Sequence, residues 1–411
     1  MVLRCLLIGL VALVAGAGLM ETRAQGTDDL AALRDQVSQL QGQGKHAEAI
    51  PIAKRYVALA RQKHGEEHTK FAMAISWLGT LYRAQGRTAE AARLFKRSLS
   101  IYEKADADHV MVSVLSNVLA DLYREQGRYA DAEPFYRRVL SSFEKVLGPD
   151  HPDVRIRLNS LASVYKAQGR YADAELQYKR ALAITEKTLG PNHPDVGTAL
   201  NNLAGLHSAQ GRYADAEWHL MRSLAITEKA LGPNHVDVGI SLDNLALVRF
   251  AQGRYTDAER LVQRALSIFE KALGPDHLTF GQSLNTLALV YREQGRYADA
   301  EPHYRRSLAI TVKALGPDHP DVGTSLNNLA ALYQTQSRYT EAESLWERAL
   351  AISEKALGSG RGHPPQQPGR AVQGPGPLCR CRAALQACAH DHREGAGARP
   401  PQCRHLPQQP G

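Results

Sequence analysis

The chain of 411 residues carries a net charge of +8 and five cysteines, and both are unevenly placed. The segment after Gly358 contributes +5 and the first 24 residues contribute +1, which leaves +2 for residues 25–358. A global basic field is therefore not supported for that region, and we expect no nucleic-acid partner. The same region has no cysteine, which excludes disulfides and thiol chemistry there.

The first 24 residues predict a secretory signal peptide. Met1–Arg4 is a short positive start, Cys5–Leu19 is an apolar run, and Thr22–Ala24 offers small residues for cleavage before Gln25. We therefore expect a secreted or periplasmic protein with no stable membrane span after cleavage. The alternative is a membrane anchor formed by an uncleaved leader, although the apolar run is short for a span of about 20 residues.

A block of 42 residues then repeats along the chain, and its clearest marker is Gln-Gly-Arg followed by an aromatic residue, an alanine and an acid. One spacing of the turn glycine is 41, and a serine takes the eighth place. The positions are Gly44, Gly86, Gly127, Gly169, Gly211, Gly253, Gly295 and Ser337. Self-similarity on this scale predicts a solenoid whose binding surface is built from many repeats.

Each repeat predicts two helices. In the unit that starts at Pro194, apolar residues fall at helical spacing, and we interpret Asp195 as the N-cap. Gly211 ends this helix, and a second one runs from Arg212 until the chain reaches Leu231. Residues 25–358 therefore predict an all-α array of about eight antiparallel helix pairs.

Small residues and large aromatic residues form columns through the repeats. The small column of the first helix is Gly79, Ala120, Ala162, Ala204, Ala246, Ala288 and Ala330, and that of the second is Ala91, Ala132, Ala174, Ala216, Ala258, Ala300 and Ala342. The large residues beside them are Tyr82, Tyr123, Tyr165, Tyr291 and Tyr333, then Phe95, Tyr136, Tyr178, Tyr304 and Trp346. Small residues let helix axes approach to the short end of roughly 8–10 Å.

This small-and-aromatic arrangement resembles the tetratricopeptide repeat, whose usual unit is about 34 residues. The extra residues form the linker at Leu147–Val154, and Leu-Asn-Asn-Leu-Ala at Leu200–Ala204 makes the unit similar to the kinesin-light-chain and nephrocystin-3 type. The resemblance implies a right-handed superhelical α-solenoid that serves as a peptide-binding or assembly scaffold. The leader indicates a bacterial secreted member and argues against kinesin cargo transport.

Two columns on the first helix, seven residues apart, predict a peptide-binding groove along the inner wall of the superhelix. One column is Asn117, Asn159, Asn201, Asp243, Asn285 and Asn327, and the other includes Arg83, Arg124, Lys166, Phe250 and Arg292. Asparagine amides match the groups of a peptide backbone, and the cations favour an acidic segment or a terminal carboxylate. Phe250 marks the sixth repeat as a local specificity element. The alternative is that the asparagines bond only to neighbouring repeats and water.

Two further columns favour structural roles. The histidines are one per repeat, and a step of roughly 10 Å keeps neighbours from sharing a zinc ion, so we interpret them as linker hydrogen-bonding residues. They are His151, His193, His235, His277 and His319. The arginines Arg97, Arg138, Arg180, Arg222, Arg264, Arg306 and Arg348 predict a solvated, salt-bridged face. No phosphate loop or catalytic constellation stands apart from the repeat, so we expect no metal, no cofactor and no enzymatic activity.

The segment 359–411 predicts a disordered tail that arises from out-of-frame translation of further repeats. Written in GC-rich codons and read from the third base, Val322–Ala330 yields the sequence of Arg404–Gly411, and Thr227–Pro233 yields that of His392–Ala398. Both matches fall in one frame at the correct separation. The alternative is a zinc module formed by the tail cysteines and histidines.

Two functions remain open. The first is a non-enzymatic scaffold that binds a protein or peptide segment, acidic in character, in the concave groove. The second is the regulatory repeat region of a longer protein whose effector, for example a caspase-like protease domain, was lost by the frame change. In either case the eighth repeat lacks its next neighbour, so we expect Leu345, Trp346, Leu350 and Ile352 to be partly uncovered and to permit self-association.

Overall fold

The computed structural model of the chain describes residues 29–106 and 109–358, so the predicted signal peptide and tail lie outside the described residues. Helices are the only regular secondary structure in the described ranges, and none of them is long and apolar enough to cross a membrane. They are α1 (Leu30–Gly42), α2 (His46–His64), α3 (Thr69–Ala84), α4 (Thr88–Lys104), α5 (His109–Glu125), α6 (Tyr129–Leu147), α7 (Pro152–Ala167), α8 (Tyr171–Leu189), α9 (Pro194–Ala209), α10 (Tyr213–Leu231), α11 (Val236–Ala251), α12 (Tyr255–Leu273), α13 (Leu278–Glu293), α14 (Tyr297–Leu315), α15 (Pro320–Thr335) and α16 (Tyr339–Gly358).

The helices pack as consecutive pairs within two compact units, which divide inside α5 between Leu115 and Ser116. In the first unit α1 packs on α2, α2 on α3, and α3 on α4. In the second unit every helix from α6 to α15 packs on the next, and α9, α11, α13 and α15 also contact one another in succession. The prediction of an all-α solenoid built from helix pairs is confirmed.

The turn inside each pair contains a residue in the left-handed backbone conformation, at the position that the glycine spacing predicted. The seven turn glycines have φ between 70° and 76°, a region that costs glycine nothing because it has no Cβ. In the eighth pair Ser337 takes the same conformation, with φ of 61°. The side chain of Ser337 therefore adds strain at a turn that is otherwise unstrained.

In six pairs the first helix has a histidine N-cap, which corrects the prediction that Asp195 is an N-cap. The N-cap of α9 is His193, whose Nδ1 accepts a hydrogen bond of 3.2 Å from the backbone N–H of Asp195. Pro194 is the first helical residue, where its missing N–H costs nothing. The same cap recurs at His68, His151, His235, His277 and His319. The prediction of linker hydrogen-bonding histidines is thus confirmed.

The small and aromatic columns form the core of the array. Every alanine of both columns is at most 1% exposed, and Gly79 is buried too. The aromatic residues of both columns are buried beside them. Packing of this kind stabilises each unit only in combination with its neighbours.

The expectation that Trp346 and Ile352 are uncovered in the last repeat is wrong. Both side chains are 4% exposed and belong to the core cluster that extends from α11 to α16. Trp346 occupies the position of Phe95 in the second pair, and the ring of Phe95 lies against Gly79 of the first helix of that pair. Leu345 and Leu350 are half-buried against the same cluster. The pair therefore covers its own aromatic residue, and a further repeat is not needed to bury it.

Candidate peptide-binding site

The Gln-Gly-Arg motif joins each repeat to the one before it. Arg170 bonds to Glu133 of the preceding repeat at 2.7 Å and to Asp173 of its own helix at 2.7 Å. Its guanidinium also lies 4.3 Å from the ring centre of Tyr165. The glutamine of the motif contributes as well, since Gln168 donates to Glu133 at 3.2 Å. The pattern recurs at Arg296 and Arg338, which places the motif in the repeat interface.

The predicted salt-bridged arginine face is confirmed for four of its members. Each of these arginines reaches back to a glutamate of the preceding repeat, at distances from 2.5 to 2.6 Å. The pairs are Arg97–Glu67, Arg180–Glu144, Arg222–Glu186 and Arg264–Glu228. Exposed pairs of this kind contribute little individually, about 0–1 kcal/mol each. Their regular recurrence fixes the register of successive second helices.

Three members of the predicted asparagine column are engaged by neighbouring repeats. Asn117 accepts a hydrogen bond of 3.0 Å from Arg157. The amide of Asn201 donates to the hydroxyls of Ser223 and Ser241, both at 3.0 Å. Asn285 is 6% exposed and accepts from Asn328 at 2.8 Å. These amides already have partners, as the alternative interpretation of the column proposed.

The other members of the column differ among themselves. Asn159 lies on α7, and its buried Oδ1 has no hydrogen-bond partner among the described residues. Asp243 and Asn327 interact with groups of the chain. The column therefore does not present a uniform row of amides.

The cations of the second column also separate into paired and unpaired groups. Arg124 donates to the hydroxyl of Tyr136 at 3.1 Å, Arg292 is 2.7 Å from Glu293, and Arg83 interacts with another group of the chain. Within the described ranges Lys166 has neither a hydrogen bond nor an ion pair. Burial lowers the pKa of Lys166, and a Cβ on Gly205 would lie 3.2 Å from its Nζ. The ammonium group thus packs against α9 at Gly205, where a larger residue would crowd it.

Comparison with known proteins settles the family. The tetratricopeptide repeat profile matches residues 28–104, 110–187, 161–229, 195–271, 237–310 and 279–355. The chain belongs to the tetratricopeptide repeat family. No match was found among curated proteins.

Solved structures of other repeat proteins are similar to the chain. A putative kinesin light chain from Podosopora anserina with nearly identical TPR-like repeats is 29% identical over 50% of this chain and 97% of its own, with a TM-score of 0.42. A tetratricopeptide repeat protein from Parabacteroides merdae is 16% identical over 74% and 99%, with a TM-score of 0.54. The quorum sensor NprR from B. thuringiensis is 12% identical over 84% and 91%, with a TM-score of 0.56. The last two share the fold of this tetratricopeptide protein.

The sixth tetratricopeptide repeat departs from the common pattern where the sequence indicated. Phe250 is half-buried, and its ring centre is 5.5 Å from that of Tyr255. Arg249, which takes the place of the usual tyrosine, pairs with Glu217 and with Asp257. Arg249 is thus part of the repeat interface, and a specificity role for Phe250 stays a prediction.

Sequence reasoning missed a second irregularity, at His207 in α9. Its ring is stacked on that of His219, with centres 5.2 Å apart and planes at 12°. Both histidines line a depression of about 250 Å³, and burial lowers the pKa of both, that of His219 to about 4. The described residues contain no group of three side chains that could hold a metal ion. The available signal was the break in the tyrosine column at position 207.

Proposed function

We propose that this tetratricopeptide protein is a non-catalytic scaffold that binds a peptide or protein segment along the face of α7 that carries Asn159 and Lys166. Tetratricopeptide arrays offer extended surfaces that several repeats build together. The observation that carries the proposal is the half-buried, unpartnered ammonium group of Lys166 beside Gly205. An acidic side chain or a terminal carboxylate is the group that suits it.

The electrostatics of Lys166 support an anionic ligand. Burial disfavours a charged amine, which is why the pKa of Lys166 falls. A carboxylate placed against the ammonium group would offset that cost, and a charge-assisted hydrogen bond contributes about 1.5–3 kcal/mol. Arg292 already has the carboxylate of Glu293 and offers no comparable gain.

Asn159 supplies a second contact in the proposal. It lies seven residues before Lys166 on α7, so both side chains share a face of the helix. Its Oδ1 is buried and unpartnered in the free chain, so the Asn159 side chain must turn outwards to accept a backbone N–H of the bound segment. Asn201 is excluded from this role because its amide bonds to two serines, and its replacement is expected to disturb the repeat interface.

The test compares two cations that lie at equivalent places in different repeats. The full chain is assayed against a peptide array in which each sequence carries either a free carboxyl terminus or an amidated one. We expect acidic or free-acid peptides to bind, and Lys166→Met to weaken them by more than tenfold. Arg292→Met is the matched control and should change affinity little. Equal effects of the two substitutions would show that Lys166 is not part of the binding site. The absence of any binding peptide from the peptide array would overturn the proposal.

We also propose export of the protein, which rests on the charged start, apolar run and small residues of the first 24 positions. Expression in a bacterium with fractionation tests it. The mature chain should be found in the periplasm or medium with Gln25 at its amino terminus. Recovery of the intact leader in the membrane fraction would favour the uncleaved anchor.

A further inference from the structure

The hydroxyl group at the tip of a column tyrosine can be held by two charged side chains of the preceding repeat, an arrangement that we call the hydroxyl clamp. In the eighth pair the hydroxyl of Tyr333 donates to Oε1 of Glu301 at 3.1 Å and accepts from Nη2 of Arg305 at 2.9 Å. Glu301 and Arg305 are themselves an ion pair of 2.7 Å on α14. Arg338 lies over the ring, 3.9 Å from its centre. The phenol is therefore held between an acid and a base of the preceding repeat.

The clamp recurs elsewhere in the same unit. Arg137 donates to the hydroxyl of Tyr165 at 2.9 Å and pairs with Glu133 at 3.1 Å. Three repeats further along the chain, Gln263 donates to the hydroxyl of Tyr291 at 3.4 Å. A side chain four residues after the glutamate thus donates to the tyrosine hydroxyl in three repeats, and both hydroxyl bonds of the clamp are formed at Tyr333.

In the repeat that contains His207, the charged residues of the clamp are present, but histidine replaces the tyrosine whose hydroxyl they would hold. Glu175, Lys179, His207 and Arg212 precede Glu301, Arg305, Tyr333 and Arg338 by three repeats each. Glu175 pairs with Lys179 at 2.7 Å and with Arg212 at 3.2 Å, as their counterparts do. Imidazole is shorter than phenol and has no hydroxyl, so the side chain of His207 does not reach between the pair. The depression of about 250 Å³ lies at this place.

In the next repeat the tyrosine is replaced by arginine, and the carboxylate of the clamp is paired by that arginine. There Arg249 stands in the tyrosine column and pairs with Glu217, the counterpart of Glu175. Its side chain is 14% exposed, so the chain's own guanidinium satisfies the carboxylate. The site at His207 therefore differs from the site at Arg249, because Glu175 and Lys179 line the depression.

Aromatic and polar walls complete the depression. Trp218 stands at its rim, 59% exposed, with its ring edge-on to His219 at 4.9 Å between centres. His207 is 2% exposed, and Nδ1 of His207 has no hydrogen-bond partner among the described residues. Trp218 replaces the proline, arginine, leucine or serine found at this position in other repeats. An exposed tryptophan beside a polar depression is typical of a site that receives a side chain of a partner.

We propose that this depression binds the phenol ring of a tyrosine side chain presented by a partner protein, with the hydroxyl held between Glu175 and Lys179. The hydroxyl would donate to Glu175 and accept from Lys179, as Tyr333 does with Glu301 and Arg305. The ring would lie between Arg212 and the indole of Trp218.

The charges of the lining select a neutral ligand. Glu175, Lys179, Arg212 and Asp215 are paired with one another, so the lining offers no unpaired counter-charge to a carboxylate or an ammonium group. A hydroxyl satisfies both members of the pair because it donates and accepts. A phenylalanine ring would fill the same space and leave the ion pair without its hydroxyl partner. The volume is below the roughly 300–1,000 Å³ of a drug-sized site, which suits a single side chain.

The experiment titrates the full chain with N-acetyltyrosinamide and observes the indole N–H signals of its three tryptophans by NMR. We expect the Trp218 signal to shift with saturation, and N-acetylphenylalaninamide to bind at least about tenfold more weakly. Equal affinities for the two amides, or an unchanged Trp218 signal, would overturn the proposal.

Two variants locate the site. His207→Tyr gives the chain its own phenol at the clamp and should abolish tyrosinamide binding while raising the melting temperature. Lys179→Met alters an exposed residue and should weaken tyrosinamide at least about tenfold without affecting the phenylalanine analogue. Unchanged binding in a folded Lys179→Met variant would contradict the clamp. Lys166→Met serves as a control, because Lys166 does not line the depression and the proposal does not depend on the peptide groove.

Discussion

Two equivalent glycines, Gly239 in α11 and Gly323 in α15, should respond in opposite directions to replacement by alanine. They are separated by two repeats and occupy the same position of the first helix. A Cβ on Gly239 would lie 2.6 Å from Cε1 and 2.8 Å from Cζ of Phe269, whose ring is 1% exposed. At Gly323 the nearest atoms are the carbonyl oxygen of Ala349 at 3.6 Å and Cγ2 of Ile352 at 3.7 Å.

The expected magnitudes follow from these distances. Alanine in a helix interior is more stable than glycine by about 0.5–1 kcal/mol, and this gain applies to both sites. At Gly323 nothing opposes it, so Gly323→Ala should stabilise the array. At Gly239 the buried ring must move, and overpacking of this kind costs about 1–3 kcal/mol. Since the helix gain is common to both, the difference between the variants measures the overpacking at Phe269.

The assay is urea unfolding of both variants, combined with hydrogen exchange followed by mass spectrometry. We expect the unfolding midpoint to fall for Gly239→Ala and to rise for Gly323→Ala, with faster exchange in α11 and α12 of the former. Hydrogen exchange is needed because long repeat arrays can unfold in parts. Equal stabilisation by both substitutions would refute the close approach of α11 to Phe269.

Three further predictions concern single residues. Ser337→Gly should raise the stability of the last pair by about 1 kcal/mol, seen as slower exchange in α15 and α16, because it removes a side chain from a left-handed turn; no change would show that the turn carries no strain. His219 is held neutral because burial, and then His207, lower its pKa to about 4 from an ordinary value near 6.5. Stability that is complete above pH 6.5 should therefore fall as the pH is lowered towards 4, and His219→Leu should reduce this fall in urea midpoints; an identical pH profile would contradict the assignment. His193→Ala should destabilise the start of α9 by about 1 kcal/mol in the same exchange experiment, whereas His193→Asn should preserve the cap; equal effects would argue against the bond to Asp195.

Local signals in the sequence were sufficient for the helices. Pro194, Gly211 and Leu231 mark ends that the structure places within two residues of the prediction, because glycine and proline act through the backbone of their own segment. The cap at His193 was missed because an imidazole acceptor lies outside the usual set of serine, threonine, aspartate and asparagine.

The candidate site was harder to predict because its contacts cross repeats. Asn201 meets a serine 40 residues away, and Asn117 meets an arginine at the same separation. Equivalent positions in a repeat therefore look alike in sequence while their partners differ. The burial of Trp346 was missed for a related reason, since a pair of helices covers part of its own apolar face and only the coordinates show how much.

The ion pairs between the glutamate of one repeat and the turn arginine of the next affect how the gene can change. The glutamate of one unit and the turn arginine of the next are 37 residues apart at every such joint of the second compact unit where the pair forms, as in Glu133–Arg170, Glu175–Arg212, Glu259–Arg296 and Glu301–Arg338. A duplicated or deleted block of 42 residues would bring another glutamate to the same separation from another arginine. Recombination between repeats can thus lengthen or shorten the protein without creating a mismatched junction, and selection can then act on the contents of single repeats, such as the one that carries His207.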